Sequence, residues 1–287
     1  MVCLKLSTGI RIFTMRKKNK SIDKINFISK ELKKKILDIS FKKKAHHIGS
    51  CLSCIDLLCA LYFGFMKIDK KKINKNDRFI MSKGHAALSY YLILMKHKFF
   101  TEKFLMNEYL TDNGKLGGHP DMNNKLGIDF SSGSLGNGIS VAAGMAYAFK
   151  ADKKKNKVFV LVGDGECNEG IVWETALFAG HHKLDNLFVI IDYNKLQGFG
   201  STDKILNLEP LKPKFESFNW NVIQTDGHNI IEILRSLKSL NKKKKRPNLL
   251  IANTIKGKGV KFMENKFESH YEVLSEKKYN ISIKHLN

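Results

Sequence analysis

Two apolar runs of strand length, each followed at once by polar residues, constrain this sequence most. Val158 to Val162 leads into Gly163-Asp164-Gly165, and Leu187 to Ile191 leads into Asp192-Tyr193-Asn194. Apolar runs separated by a segment long enough for a helix indicate two buried parallel strands joined by that helix. Because the carboxyl ends of parallel strands meet at one edge of a sheet, Asp164 and Asn194 are expected to lie close together there.

An aspartate between two glycines favours a diphosphate that is held through a divalent cation. The glycines let the backbone turn sharply and present N–H groups to phosphate. A carboxylate in that position would repel a bare diphosphate, so we expect a hard cation such as Mg²⁺ between them, held by few protein oxygens. The expected metal ligands are the carboxylate of Asp164, the side-chain oxygen of Asn194 and the main-chain carbonyl of Leu196.

A dinucleotide-binding loop and a purely structural turn are alternative interpretations of the same segment. Gly170 stands too far along for the G-x-G-x-x-G pattern, and acidic residues occupy the place where the dinucleotide diphosphate would lie. Gly-Asp-Gly is also an ordinary turn sequence, so the tripeptide alone does not require a ligand.

Segments of strand and helix length alternate along the rest of the chain. Strand-length apolar runs begin at Phe79, Asn221 and Leu249, and helices are predicted over 22–43, 51–65, 86–96, 139–149 and 230–240. This alternation predicts an α/β domain with a mainly parallel sheet covered by helices on both faces. We expect the domain over residues 21–260, after a basic N-terminal extension over 1–20 and before a polar C-terminal tail over 261–287. The extension, which contains no acidic residue, is either a transit peptide or the result of an upstream start, with Met15 as the initiator.

The formal net charge of +23 raises the alternative of a nucleic-acid-binding or structural protein on a degenerate enzyme fold. Arginine occurs only at positions 11, 16, 78, 235 and 246, and the lysine runs lie between apolar segments without interleaved aromatic residues. This pattern is typical of solvated surfaces, so nucleic acid is not the expected partner.

The apolar runs and the cysteines indicate where the chain would function. No run approaches the roughly 18 apolar residues that a membrane-spanning helix needs. Five cysteines without evenly spaced pairs, including Cys51 and Cys54 inside an apolar helical run, fit a reducing compartment. We therefore expect a cytoplasmic protein.

Six sequence blocks resemble transketolase, and they occur in the order in which that family carries them. They are Ala45–Gly49, Ser82–His85, Gly117–Pro120, Gly133–Gly138, Gly163–Gly170 and Asp226–His228. Gly163-Asp-Gly165 together with Asn194 is similar to the thiamine diphosphate motif of these enzymes. The likeness ends where transketolases continue into their pyrimidine-binding and C-terminal domains. The chain therefore resembles the N-terminal subunit of a split transketolase, with the thiamine diphosphate-binding fold.

The resemblance implies an enzyme that transfers a two-carbon ketol unit in the pentose phosphate pathway. The donor would be a ketose phosphate such as xylulose 5-phosphate, and the acceptor an aldose phosphate such as ribose 5-phosphate or erythrose 4-phosphate. Thiamine diphosphate and Mg²⁺ would be the cofactors. A C-terminal transketolase subunit would supply the pyrimidine-binding half and the activating glutamate. The expected assembly is a homodimer or an α2β2 hetero-oligomer, and this chain alone would be inactive.

Other thiamine diphosphate enzymes share the Gly-Asp-Gly…Asn pattern and remain alternatives. Deoxyxylulose phosphate synthase and the α subunit of 2-oxoacid dehydrogenases are two of them. The block around His47 and the pattern of Glu166 and Glu169 favour transketolase.

The resemblance also implies roles for single residues. His47 and His119 would contact the substrate, and His270 would be a further catalytic histidine. Glu169 would act with the activating glutamate of the partner subunit. The expected cofactor contacts are His85, Gly133, Ser134, Leu135, Gly165, Glu166 and Asn194, and the expected metal ligands are Asp164, Asn194 and Leu196.

Three positions depart from the family pattern. His270 stands between Ser269 and Tyr271, where members of the family tend to read Trp-His-Gly. Ser134 replaces a proline that longer transketolases often carry, and Ile48 is typical of the short split members. None of these departures removes an expected metal ligand.

Overall fold

The computed structural model describes residues 3–69, 75–243 and 245–286, with side chains from Ser21 onward. Within these residues, five parallel strands form one sheet in the order β1-β2-β3-β5-β4. The strands are β1 Arg78–Met81, β2 Val158–Gly163, β3 Leu187–Tyr193, β4 Asn221–Asp226 and β5 Asn248–Asn253. The α/β fold with a parallel sheet, predicted from the sequence, is confirmed.

Helices connect the strands and flank the sheet. They are α1 Cys3–Lys43, α2 Ile48–Gly64, α3 Ala87–Lys96, α4 Glu102–Glu108, α5 Asn137–Ala151, α6 Gly170–His181, α7 Thr202–Ile205, α8 Leu211–Ser217, α9 Ile230–Lys242 and α10 Glu276–Leu286. The predicted helices correspond to α1, α2, α3, α5 and α9, and α1 begins inside the basic extension predicted over 1–20. Whether that extension is a targeting segment or an upstream start stays a prediction.

Both faces of the sheet are buried. Alternate residues of its central strands point to opposite sides, and each set packs in a separate core. Phe159 and Leu161 belong to a core formed with α1, α2, α3 and α9. Val158 and Val160 belong to a second core formed with α5, α6 and α8. A strand that is apolar on both faces must be covered on both sides, so helix layers enclose the sheet.

The segment predicted as a polar tail, 261–287, packs back onto the domain over the part that the structure describes. Met263 and Leu286 are buried. The ring of Tyr279 in α10 stacks on Phe41 of α1, with 4.5 Å between ring centroids. Packed structure therefore continues past the predicted boundary at residue 260.

The cysteine side chains that the structure describes are buried. Cys51, Cys54, Cys59 and Cys167 are buried free thiols. Burial raises the pKa of each of these thiols, which keeps them protonated and unreactive. Over the described residues, no helix combines the length and the apolar character needed to cross a bilayer.

Candidate functional site

A cavity of about 160 Å³ opens at the carboxyl edge of the sheet, where β1, β2, β3 and β5 end. Several of the residues predicted to bind cofactor or metal lie in its wall: His85, Leu135, Asp164, Gly165, Glu166, Asn194 and Leu196. His270, predicted as catalytic, lines the same cavity. Four β-strands thus deliver residues from distant parts of the sequence to one place, as expected for a parallel sheet.

Asp164 is buried in the cavity wall between two backbone donors. Its Oδ1 accepts a hydrogen bond from the N–H of Gly165 at 2.8 Å, and its Oδ2 accepts one from the N–H of Lys195 at 2.5 Å. Burial, together with the nearby carboxylate of Asp192, raises the pKa of Asp164 to about 7. A divalent cation would relieve this penalty, because it stabilises the ionised form.

Asn194 and Leu196, at the end of β3, bring two further oxygens to the cavity. Asn194 Oδ1 accepts from the N–H of Leu196 at 3.0 Å, while its Nδ2 donates to Ser53 Oγ at 3.2 Å. These two bonds assign the oxygen and nitrogen of the amide. The main-chain carbonyl of Leu196 lies 3.4 Å from Lys256 Nζ.

This donor set fits a hard cation. One carboxylate, one carboxamide oxygen and one main-chain carbonyl are the ligand types that Mg²⁺ prefers, and it completes its shell with phosphate and water. Among the described residues, no group of three or more His, Cys, Asp or Glu side chains is placed to hold a metal. The assignment of Asp164, Asn194 and Leu196 to Mg²⁺ stays a prediction.

Lysine and histidine side chains line the same cavity, and the charge of Lys256 among them fits the anionic end of a diphosphate. Lys256 Nζ lies 3.0 Å from Nδ1 of His270, and both side chains line the cavity with Lys83 and His85. Burial and the neighbouring Lys83 lower the pKa of Lys256 to about 8. Lys256 therefore still carries much of its charge near neutral pH, where a diphosphate would be attracted to it.

The four histidines predicted at the site come together, two in the cavity wall and two beside it. The ring centroid of His47 lies 5.6 Å from that of His85, 6.0 Å from that of His119 and 4.7 Å from that of His270. Burial is the main cause that lowers the pKa of His47 to about 4 and that of His270 to about 3. These two rings are neutral at pH 7, so each has one nitrogen that donates and one that accepts a hydrogen bond.

His47 adopts a left-handed backbone conformation, with φ of 65°, directly before α2. Its N–H donates to the carbonyl of His270 at 2.9 Å. A Cβ atom on Gly49 would approach Oγ of Ser269 to 2.1 Å, so the glycine lets the two segments meet. Unusual backbone of this kind persists only where surrounding contacts hold it. Here the contacts join residues from opposite ends of the domain and place His270 beside His47 despite its altered sequence neighbours.

Glu166 joins three segments of the cavity wall. Its Oε1 accepts from Ser82 Oγ–H at 2.6 Å and from the N–H of Gly136 at 2.9 Å, and its Oε2 accepts from the N–H of Gly163 at 2.7 Å. The carboxylate thus ties the ends of β1 and β2 to the start of α5. Its predicted contact with the cofactor stays a prediction.

The remaining predicted residues lie around the cavity rather than in its wall. A Cβ atom on Gly133 would lie 3.9 Å from the ring of His119, so this loop borders the histidines. Ser134 is exposed in the same loop. Glu169 is exposed directly before α6, on the outside of the domain. The fold therefore does not bring Ser134 and Glu169 into the cavity.

Sequence reasoning did not identify a buried ion pair at the cavity wall. Lys83 Nζ contacts the carboxylate of Asp192, and the two side chains are 1% and 0% exposed. Burial opposes both charges, but the attraction between them raises the pKa of Lys83 and lowers that of Asp192. Ser53 Oγ–H donates to Asp192 Oδ1 at 2.7 Å, and the hydroxyl of Thr254 bonds to the same oxygen. Asp192 therefore supports the end of β3 that carries Asn194.

Several further cavity residues were not predicted from the sequence, among them Ser50 and Lys256. The signal for Lys256 is its place shortly after a buried strand, which is the position that pointed to Asp164. Ser50 carries no comparable signal, because it lies in the first turn of α2 and reaches the cavity only through the tertiary structure.

Known proteins match this chain over almost its whole length. The profile of the family described as transketolase, thiamine diphosphate binding domain, matches residues 26–285. An apulose-4-phosphate transketolase subunit of Phocaeicola vulgatus is 38% identical over 269 residues, which are 93% of this chain and 95% of that protein. The 6-deoxy-6-sulfo-D-fructose transketolase subunit of a Clostridium species is 40% identical over 242 residues, 84% of this chain and 88% of that protein.

Solved transketolases share the fold. The transketolase of Campylobacter jejuni superposes with a TM-score of 0.83 at 27% identity, over 93% of this chain and 43% of that chain. The transketolase of Leishmania mexicana superposes with a TM-score of 0.84 at 26% identity, over 91% and 41%. The chain thus spans about two fifths of the length of these solved proteins.

Proposed function

Because this chain belongs to the transketolase family and forms its thiamine diphosphate-binding domain, we propose that it is the diphosphate-binding subunit of a split transketolase. Together with a C-terminal subunit it would transfer a two-carbon ketol unit from a ketose phosphate to an aldose phosphate. The observation that carries the proposal is the cavity itself. Its wall brings Asp164, Asn194 and Leu196, which carry the proposed oxygen ligands, together with the side chains of Lys256 and His85.

The chain's own residues would hold and orient the reactants. Thiamine diphosphate, when bound, supplies the carbon nucleophile and the electron sink for cleavage of the carbon–carbon bond. Asp164, Asn194 and the Leu196 carbonyl would hold Mg²⁺, and Lys256 would hold the diphosphate. Neutral His47, with His119 and His270 beside it, would bind the hydroxyl groups of the substrate and move protons there.

A second chain is proposed to complete the site. Relatives of nearly the same length are named as subunits, while the solved transketolases are more than twice as long. Exposed apolar side chains on α5 and α6 support a covered surface: Tyr147, Leu177 and Phe178 are 45%, 60% and 41% exposed. Glu169 lies at the start of α6, where a second chain could reach it. The proposed assembly is a homodimer or an α2β2 hetero-oligomer.

The ketose donor is proposed to be xylulose 5-phosphate, with ribose 5-phosphate or erythrose 4-phosphate as acceptor, in the pentose phosphate pathway. Relatives favour two further donors, because those that match most of this chain are named for apulose 4-phosphate and for 6-deoxy-6-sulfo-D-fructose. The four buried free thiols support a reducing compartment, and we propose the cytoplasm.

Turnover by the assembled enzyme tests this proposal. The chain is mixed with its C-terminal partner, thiamine diphosphate and Mg²⁺, and each of the three ketose donors is offered with ribose 5-phosphate. We expect ketol transfer from at least one donor by the complex and none by either chain alone. A folded complex that binds the cofactor but uses none of the donors would contradict the proposal. Consumption of pyruvate or another 2-oxoacid instead would favour the other thiamine diphosphate enzymes.

The stability of the cofactor-free chain should depend on pH through Asp164. Its native pKa, about 7, lies above the ordinary value of 3.8, so the native chain binds this proton more tightly than the unfolded chain. The stability that this carboxyl contributes is complete below the ordinary value and is lost as the pH rises through 7. Between these two pKa values, the free energy of unfolding of the wild type should fall by about 1.4 kcal/mol per pH unit relative to that of Asp164→Asn.

Urea unfolding at pH 5.5 and pH 8 measures this difference. Between pH 5.5 and pH 8, the free energy of unfolding of the variant is expected to rise relative to that of the wild type. At pH 8, saturating Mg²⁺ with thiamine diphosphate should stabilise the wild type more than the variant. The histidines titrate in both proteins, so their effect cancels in the comparison. Equal pH profiles for the two proteins would show that Asp164 does not carry a raised pKa.

A further inference from the structure

The residues Asp226, Gly227 and His228 do not line the cavity, yet they hold a segment that does. This segment, residues 253–256 at the end of β5, is called here the β5 loop. The N–H of Gly227 donates to the carbonyl of Asn253 at 2.8 Å. Nε2 of His228 accepts from the N–H of Ile255, also at 2.8 Å. Asp226 Oδ1 accepts from the N–H of His228 at 2.8 Å and so closes the turn.

Gly227 is needed because the two loops approach closely. A Cβ atom at this position would come within 2.4 Å of Cγ2 of Thr254 and within 3.0 Å of the carbonyl oxygen of Asn253. Any side chain here would push the β5 loop away from its present place. The motif is therefore built to bring the loop after β4 against the loop after β5.

The hydrogen bonds of His228 determine its tautomer. Nε2 can accept from Ile255 only where it carries no proton, so Nδ1 carries the proton and donates to Oδ2 of Asp56 at 2.8 Å. Asp56 is 4% exposed and also contacts Ser29 and Lys33 of α1. A carboxylate held from several sides orients the imidazole ring, as it does for histidines in metal sites.

The β5 loop carries two side chains that belong to the cavity or its support. The hydroxyl of Thr254 bonds to Asp192 in the buried ion pair. Lys256 Nζ reaches the cavity, 3.0 Å from Nδ1 of His270. The backbone N–H that His228 binds belongs to Ile255, between these two residues. A shift of this backbone would move both side chains.

We propose that His228, oriented by Asp56, is a positioning residue that holds the β5 loop so that Lys256 reaches the diphosphate end of the cofactor site. The identity of the ligand rests on the proposed function, whereas the positioning itself concerns only contacts within this chain. His228 acts through the backbone of Ile255 and touches neither cofactor nor substrate.

Two matched variants distinguish the hydrogen bond at Nε2 of His228 from the one at Nδ1. Glutamine places an amide oxygen near the position of Nε2 and can accept from Ile255, whereas asparagine reaches only the position of Nδ1. In the complex with the partner subunit, His228→Asn should raise the Kd of thiamine diphosphate with Mg²⁺ by about 10- to 100-fold, as for other residues that orient ligands. His228→Gln should stay close to the wild type. At saturating cofactor, kcat should be unchanged in both variants, because only binding is weakened.

A second measurement does not depend on the proposed function. Long-range ¹⁵N NMR of histidine-labelled chain should show a ring protonated at Nδ1 that is lost in His228→Asn, and the amide of Ile255 should exchange faster in that variant. If neither variant folds, the tautomer of the His228 ring in the wild type still tests the proposal. Its resonance is assigned through its contact with the Ile255 amide. A ring protonated at Nε2, or cofactor binding by folded His228→Asn as tight as by His228→Gln, would overturn the proposal. Absence of any cofactor binding by the wild type would sink the proposed function, while the tautomer and the exchange rate would still decide the positioning.

Discussion

Replacing Asp164 with asparagine is expected to abolish Mg²⁺-dependent binding of thiamine diphosphate. Asp164 supplies the single carboxylate among the three oxygens proposed to hold the cation, and asparagine keeps the size of the side chain but removes its charge. We expect the Kd of the cofactor to rise by about 100-fold or more, since residues that only orient metal ligands already cost 10- to 100-fold. Titration calorimetry at pH 8, with and without Mg²⁺, measures the effect.

Asp152→Asn is the matched control for this experiment. Asp152 directly follows α5 on the protein surface, where its side chain pairs only with Lys154 among the ion pairs of the described residues. The control should bind the cofactor as the wild type does. Tight binding by a folded Asp164→Asn protein that still requires Mg²⁺ would show that another residue supplies the charge.

Replacing Lys83 with methionine is expected to destabilise the domain severely. Methionine nearly preserves the volume of lysine, but the carboxylate of Asp192 would remain buried without its cation. Breaking a buried ion pair in this way lowers the free energy of unfolding by about 3–5 kcal/mol. Urea unfolding of the cofactor-free chain at pH 7.5 is the direct measurement, because it needs neither partner nor cofactor.

Two further variants show whether the buried charge is the cause. Lys154→Met breaks an exposed pair and should change the free energy of unfolding by no more than about 1 kcal/mol. The double variant Lys83→Met/Asp192→Asn leaves neither charge in the interior, so it should recover part of the loss caused by Lys83→Met. If Lys83→Met costs no more than Lys154→Met, the pair does not support the cavity in the proposed way.

Short sequence patterns predicted the strands and the position of the cavity. A parallel strand buried on both faces is a continuous apolar run, and the residue that follows it must lie at the carboxyl edge of the sheet. Asp164 and Asn194 are predicted on this ground to lie side by side, and both line the cavity. The same reasoning, applied to β5, would have pointed to Lys256.

Contacts between distant residues were not predictable in this way. Lys83 and Asp192 are 109 positions apart, and Asp56 and His228 are 172 positions apart. Neither pair follows from strand or helix periodicity, because a charged residue after a strand can turn toward solvent, ligand or core. The packing of α10 was missed for a related reason, since a helix with many polar residues shows its buried side only once its neighbour is known.

The sequence by itself determined the class of fold, the edge of the sheet where the cavity opens and the chemical types available there. These properties follow from local apolar runs and from the residues directly after them. Only the tertiary structure decided which of these residues face the cavity, which one joins segments of its wall through hydrogen bonds and which hold its loops in place. Glu166 shows the difference: its contact with a cofactor stays a prediction from the sequence, whereas only the structure shows that its carboxylate accepts hydrogen bonds from Ser82, Gly136 and Gly163. A buried polar group must find partners, and the folded chain alone determines which partners are within reach.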